Sequence, residues 1–210
     1  MKYRLTDETL KLWGRTLYRI EALKDFADVN KGDKGGFVEG EYNLSQDGDC
    51  WIYDEAMAFG GAIVRNSATV HDRAIVCNSA HVCDSATVSG RAMVSSNAKI
   101  SGNATVSGDA WIYGLAAISG NAKVYGWAKV FDGAKVCGSA KIGDRAEVYG
   151  NAEVYGSAKV YDRAKVCGIA KVYDRAKVCG IAKVSDWAIV NGDAKLWDRA
   201  HLCGHTIYGK

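Results

Sequence analysis

The sequence predicts an all-β protein, a parallel β-helix of triangular coils, and three observations predict it. Alanine recurs at every sixth position from Ala56 to Ala200 without an insertion or deletion. Two residues after each alanine comes an aliphatic residue, as at Val64, Val70, Val76, Ile100, Val130, Val166, Leu196 and Leu202, with Ala58 the one weak member. Two residues further on stands Gly, Asp or Asn, from Asp54 through Gly60, Asn66 and Asp72 to Gly204, with Ser96 the one exception. The stretch AKVYDRAKVCGIAKVYDRAKVCGIAKV, residues 158 to 184, shows the six-residue word at its most regular.

Each part of the word has a physical role. Side chains alternate between the faces of an extended strand, so alanine and its aliphatic partner lie on one side, pointing inward. Gly, Asp and Asn tolerate the left-handed backbone conformation at low cost, so a corner is required every six residues. Strands this short with so strict a period cannot form a hairpin meander. They can wind into a coil of three flat faces with eighteen residues per turn, in which positions eighteen apart stack at ~4.8 Å. Twenty-five hexads predict eight to nine triangular coils and a prism on the order of 40 Å long. Each buried valine contributes roughly 1.5–3 kcal/mol in transfer terms, and the small alanine leaves room for the chain to turn.

Composition supports the same picture and limits the function classes. The 210 residues include 24 glycines and no proline, with 48% hydrophobic and 24% charged residues. No apolar run resembles a signal peptide and no eighteen consecutive residues are apolar, so a cytoplasmic location with no membrane contact is expected. Cys77, Cys83, Cys137, Cys167, Cys179 and Cys203 all occupy one position of the repeat, a spacing that predicts free thiols rather than bridges. No CxxC pair occurs, so a thiolate zinc site is not expected; no cofactor is expected either.

Residues 1–50 lie outside the repeat and are expected to form an N-terminal capping segment, with residues 51–210 forming the β-helix. The chain through Ala56 carries 8 basic against 12 acidic residues, and the remainder 19 against 12. Thr6 followed by DETLKLW reads as a helix start with acidic residues in its first turn, and RTLYRIEAL alternates as a strand does. Such a cap would cover the open edge of the first coil. The closing stretch HLCGHTIYGK is too short to cap much, so a second subunit is expected over the last coil.

The hexad pattern closely resembles the hexapeptide-repeat superfamily, which implies a single-stranded left-handed parallel β-helix. RTLYRIEALKDF and GDKGGFVEGEYNLSQDGDCWIYDEA further resemble the leading module of a YdcK-like hexapeptide-repeat family of bacterial and phage genomes. Acyltransferases of this superfamily imply a catalytic histidine as general base near a loop that breaks the coil and helps bind coenzyme A between subunits. Here the register is never broken.

Four candidate features follow. His71 and His81 are the weak catalytic candidates; both stand where neighbouring repeats carry Ser, Tyr, Lys or Thr, as exposed repeat substitutions would. His201 and His205, with Cys203 between them, lack a recognised ligand spacing. Met57, Ile75, Met93 and Trp111 stack eighteen apart beside Phe59, Cys77 and Tyr113, an apolar strip too large to leave in water. It is expected to be covered by the leading segment, through Leu10, Leu12, Trp13 and Leu17, or by another subunit, or to form a ligand groove. Finally, Lys123, Lys141, Lys159, Lys177 and Lys195 stack beside Tyr125, Tyr161 and Trp197, with Arg145, Arg163 and Arg199 on the next corner. A column of like charges gains nothing for folding, so it is either a solvated face partly neutralised by Asp144, Asp162 and Asp198 or a docking strip. The expected function is a non-catalytic rigid scaffold, a homo-oligomer whose basic-aromatic face meets an acidic protein or anionic ligand. Nucleic acid is a weaker candidate at a net charge of +3. The alternatives are an acyltransferase with a site between subunits, and a phage or prophage accessory factor that binds a host component.

Overall fold

The computed structural model describes residues 1–209 as a parallel β-solenoid of about ten turns, preceded by an antiparallel hairpin. Three sheets run the length of the coil. The first is 12-stranded, and the hairpin is joined to it; the other two hold 9 strands each. They are called here the hairpin face, the lysine face and the third face. The winding outruns the hexads at both ends, because Lys34–Val38 pairs in parallel with Met57–Ala58 before the first repeat alanine, and Thr206–Gly209 pairs with Ile189–Gly192 after the last.

Every repeat corner adopts the predicted backbone. From Asp54 to Gly204 each sixth residue has positive φ, and the exception Ser96 is held there too, at 60°. Most solenoid strands are two residues long, one side chain out and one in. Every repeat alanine from Ala56 to Ala188 is fully buried, as is each inward Val or Ile in those rungs.

The corner carboxylates do more than tolerate the turn. Asp72 accepts a hydrogen bond from the Gly90 N–H of the next coil at 2.7 Å, Asp84 from Gly102 at 2.9 Å and Asp162 from Gly180 at 2.8 Å. The N–H bond to Asp84 holds its carboxyl below the usual carboxylate range. These corner aspartates thus tie their coils to the next, whereas the corners from Gly90 to Gly126 have no such side chain.

The leading segment contains no α-helix. Thr6 to Leu12 belong to a strand, β1 (Tyr3–Leu12), which pairs antiparallel with β2 (Arg15–Ala22), and β2 pairs with β3 (Lys34–Val38). The strand predicted from RTLYRIEAL is β2. Long-range packing overrides the local helix-start signal in β1. Asp7 and Glu8 fall in a register shift between Leu5 and Thr9, and Leu10 and Leu12 alternate inward against the solenoid. The hairpin closes on Trp13 and Gly14, whose φ values of 49° and 75° give the two-positive-φ turn that matches strand twist.

The same segment plugs the first coil. Lys2 is 1% exposed, and its ammonium donates to the carbonyls of Gly48 at 3.1 Å and Cys50 at 2.9 Å. The Tyr3 hydroxyl donates to the Leu44 carbonyl at 2.6 Å, while Asn43 reaches the Gly60 and Ala62 carbonyls at 3.0 and 2.9 Å. Arg19 fastens the hairpin from outside: it pairs with Glu8 at 2.6 Å and Glu55 at 2.9 Å, and lies 4.2 Å from the Phe37 ring centre. Among the described residues no helix is long and apolar enough to cross a membrane.

Candidate anion-binding face

Lys123, Lys141, Lys159, Lys177 and Lys195 occupy consecutive rungs of the lysine face, paired without a shift of register. Their neighbour on each strand is an inward Val, Ile or Leu, so the column is fixed by the core behind it. Upstream the column continues as Thr105, Thr87 and Thr69, with Thr69 and Thr87 hydroxyls 3.3 Å apart.

Comparison of the faces separates this column from the rest of the surface. On the third face Glu153 lies between Lys135 and Lys171, 3.5 Å from each ammonium, and on the hairpin face Glu147 pairs with Lys165 at 2.9 Å. Among the described residues no carboxylate comes within ion-pair distance of the five lysines of the lysine face. The expected neutralisation by Asp144 and Asp162 takes the form of corner bonds, to the backbone N–H of Asp162 at 3.2 Å and of Gly180 at 2.8 Å. Unit charges one rung apart, ~4.8 Å, repel by about 1 kcal/mol in water before salt screening, so the column is tolerable but unrewarded.

Tyr125, Tyr161 and Trp197 stand beside the lysines on every second rung, with Gly143 and Cys179 between them. Tyr125 lies over Gly143, which it buries; a Cβ there would strike the Tyr125 ring. The neighbouring Cys179 thiol, together with burial, pushes the Tyr161 hydroxyl up to about 12. Two hollows flank the face. One, of about 450 Å³, is lined by Ser157, Lys159, Arg175, Lys177, Asp193 and Lys195. The other, of about 460 Å³, lies on the next corner, where Arg145 and Arg163 sit between Trp127 and Ile181 and the Arg145 guanidinium is 5.5 Å from the Trp127 ring centre. Trp127 and Ile181 were not among the residues expected at the site, although both occupy the corner position that carries Arg145, Arg163 and Arg199.

The remaining candidates lie elsewhere. His71 stacks on Tyr53, ring centres 4.3 Å apart, upstream on the lysine face, while His81 belongs to the third face, in register with Ile63 and Lys99. The two rings do not share a site. His201 Nε2 lies 3.2 Å from the Ser185 hydroxyl, His205 Nδ1 lies 2.6 Å from the Cys203 carbonyl, and no metal-holding cluster of acidic, histidine and cysteine side chains occurs among the described residues. All seven cysteines are free. In the apolar strip, Met57, Phe59, Ile75 and Cys77 pack against Leu10, Leu12 and Leu17 of the hairpin, with the Trp13 ring 5.6 Å from that of Phe59. Met93, Trp111 and Tyr113 lie beyond the hairpin. They line a hollow of about 220 Å³, with Trp111 47% exposed.

A continuous solenoid of six-residue words with an alanine-aliphatic core and positive-φ corners defines a hexapeptide-type β-solenoid protein. Residues 98–114 match the family model described as YdcK Beta solenoid repeat. A stretch of 55 residues is 46% identical to a protein of Escherichia coli (strain K12) described as "Uncharacterized acetyltransferase YdcK". That match takes in 26% of this chain and 17% of the relative. The likeness to YdcK read from the sequence is therefore shown for the repeat.

Proposed function

We propose that the protein is a rigid β-solenoid scaffold that docks an anionic partner on its lysine face. One observation carries this reading: five consecutive lysines are left without carboxylates on one face, while Glu147 and Glu153 answer lysines on the other two. A solenoid that places acidic residues between basic rungs elsewhere has the means to neutralise this column as well. Rigid presentation keeps the entropic cost of docking low, because the lysine stems rise from a fixed backbone.

The test is binding of a simple polyanion. Long-chain polyphosphate should be retained by the wild type, with affinity falling as salt is added. The substitutions Lys141→Glu, Lys159→Glu and Lys177→Glu together should abolish retention while the far-ultraviolet circular dichroism stays unchanged. The description of the relative as an acetyltransferase favours a second reading, acyl transfer with a histidine as general base. Acetyl transfer that survives the triple change and disappears with His71→Ala or His81→Ala would replace the first reading with the second.

A further inference from the structure

Upstream on the lysine face Tyr53 and His71 stack on consecutive rungs, but the aromatic side chains beside the lysine column are arranged differently from those of the other two faces. Tyr113, Phe131 and Tyr149 occupy consecutive rungs of the hairpin face and stack at 4.9 Å with planes 4° and 3° apart; Tyr155 and Tyr173 stack at 4.8 Å on the third face. Those rings spend their flat faces on one another. Tyr125, Tyr161 and Trp197 skip a rung each time, and among the described residues none of them stacks on another ring. The rungs between hold the small residues Gly143 and Cys179, and Tyr125 lies down over the first. Tyr125, whose ring lies over Gly143, keeps its other face toward solvent. Tyr125 and Trp197 remain 39% and 56% exposed.

Resting on the reading of the lysine face as an anion-docking surface, we infer that its ligand is a linear, β-linked acidic polysaccharide. The chain lies along the solenoid axis, alternate sugars stack on Tyr125, Tyr161 and Trp197, and the carboxylates meet the lysine column. Spacing selects this class. Two rungs separate successive rings by ~9.6 Å, and an extended β-linked hexose chain advances by a closely similar distance per two sugars, turning the same face to one side at each repeat. The apolar C–H faces of a pyranose suit a flat aromatic ring, and the uronate carboxylates at its edge suit a parallel row of ammonium groups. An extended peptide advances ~3.4 Å per residue and so falls out of step with a rung spacing of ~4.8 Å. The hollow beside the column adds the Ser157 hydroxyl and the Asp193 carboxylate, which are partners for sugar hydroxyls rather than for the anion.

The test uses hyaluronan oligosaccharides, β-linked with a carboxylate on every second sugar, against polyphosphate, a polyanion without rings. Wild-type protein should bind both in isothermal titration at low salt. Replacing Tyr125, Tyr161 and Trp197 together by Ala should weaken hyaluronan binding about tenfold or more, the scale on which stacking platforms respond to truncation, and leave polyphosphate binding unchanged. Changing Lys141, Lys159 and Lys177 to Glu should abolish both. Polyphosphate binding without hyaluronan binding, or hyaluronan binding indifferent to the three ring changes, overturns the polysaccharide and leaves the docking face standing. Failure to bind either polyanion overturns both. Tighter binding of single-stranded polyuridylate than of hyaluronan, lost with the rings, overturns the polysaccharide in favour of nucleic acid.

Discussion

Val130→Asp should break the solenoid at its middle. Val130 is fully buried, stacked between Ile112 and Val148 in the neighbouring rungs. The substitution gives up roughly 1.5–3 kcal/mol of apolar transfer. It also strands a carboxyl among alanine, valine and isoleucine side chains. Neutralising that carboxyl at pH 7, about three units above its ordinary pKa, costs about 4 kcal/mol, which brings the total to about 5–7 kcal/mol. Its neighbour Lys129 points outward, with its ammonium 5.7 Å from the Trp111 ring centre, and pairs in register with Glu147. Lys129→Asp loses that contact and opposes two carboxylates, a cost of about 1 kcal/mol in water. Urea unfolding followed by circular dichroism should show Val130→Asp unfolding far earlier, in separate steps, because each coil contacts only its neighbours. Equal midpoints for the two variants would refute the assignment of inward and outward positions.

Other consequences are open to single experiments. Lys34 and Arg19 hold the Glu8 carboxyl below its usual range; at Glu39 burial pushes upward, but the Gly60 N–H and Arg15 outweigh it. Stability from such lowered carboxyls is complete above the ordinary carboxylate pKa and is lost as pH falls through the lowered values. Hydrogen exchange should therefore show β1 and β2, and the corner that Asp84 ties to Gly102, loosening on acidification before the other coils do, and uniform loosening would contradict this. Asp162 sits at φ 61° and bonds Gly180. Asp162→Gly should cost only the hydrogen bond, whereas Asp162→Ala should cost roughly 1–2 kcal/mol more from backbone strain, as thermal melts would report. If the exposed Trp111 surface is a contact between copies of this chain, Trp111→Lys should shift sedimentation toward monomer; an unchanged species would leave that surface free.

The coil was legible because its signals are local and repeated. Ala56 to Ala200 and the corners from Asp54 to Gly204 state the same requirement at every turn, and even Ser96 is carried into the corner conformation by its neighbours. The leading segment was less legible: Thr6, Asp7 and Glu8 mimic a helix start, while the force that makes β1 a strand comes from Phe59 and Cys77, far along the chain. The pairing of Glu147 and Glu153 with lysines lay in the sequence, as the eighteen-residue spacing of Lys129, Glu147 and Lys165 and of Lys135, Glu153 and Lys171. The bonds from corner aspartates to the next coil could not be seen there, since Asp and Gly satisfy the corner equally well and differ only in what they reach.

The central claim is that the unneutralised lysine column is a binding face, and retention on immobilised polyphosphate tests it most directly. Wild-type protein should be retained at low ionic strength and released as salt screens exposed charges beyond about 10 Å at 0.1 M. The Lys141→Glu, Lys159→Glu, Lys177→Glu protein should pass through unretained with its fold intact. Retention of that variant equal to the wild type, or failure of the wild type to bind at any salt concentration, would contradict the claim.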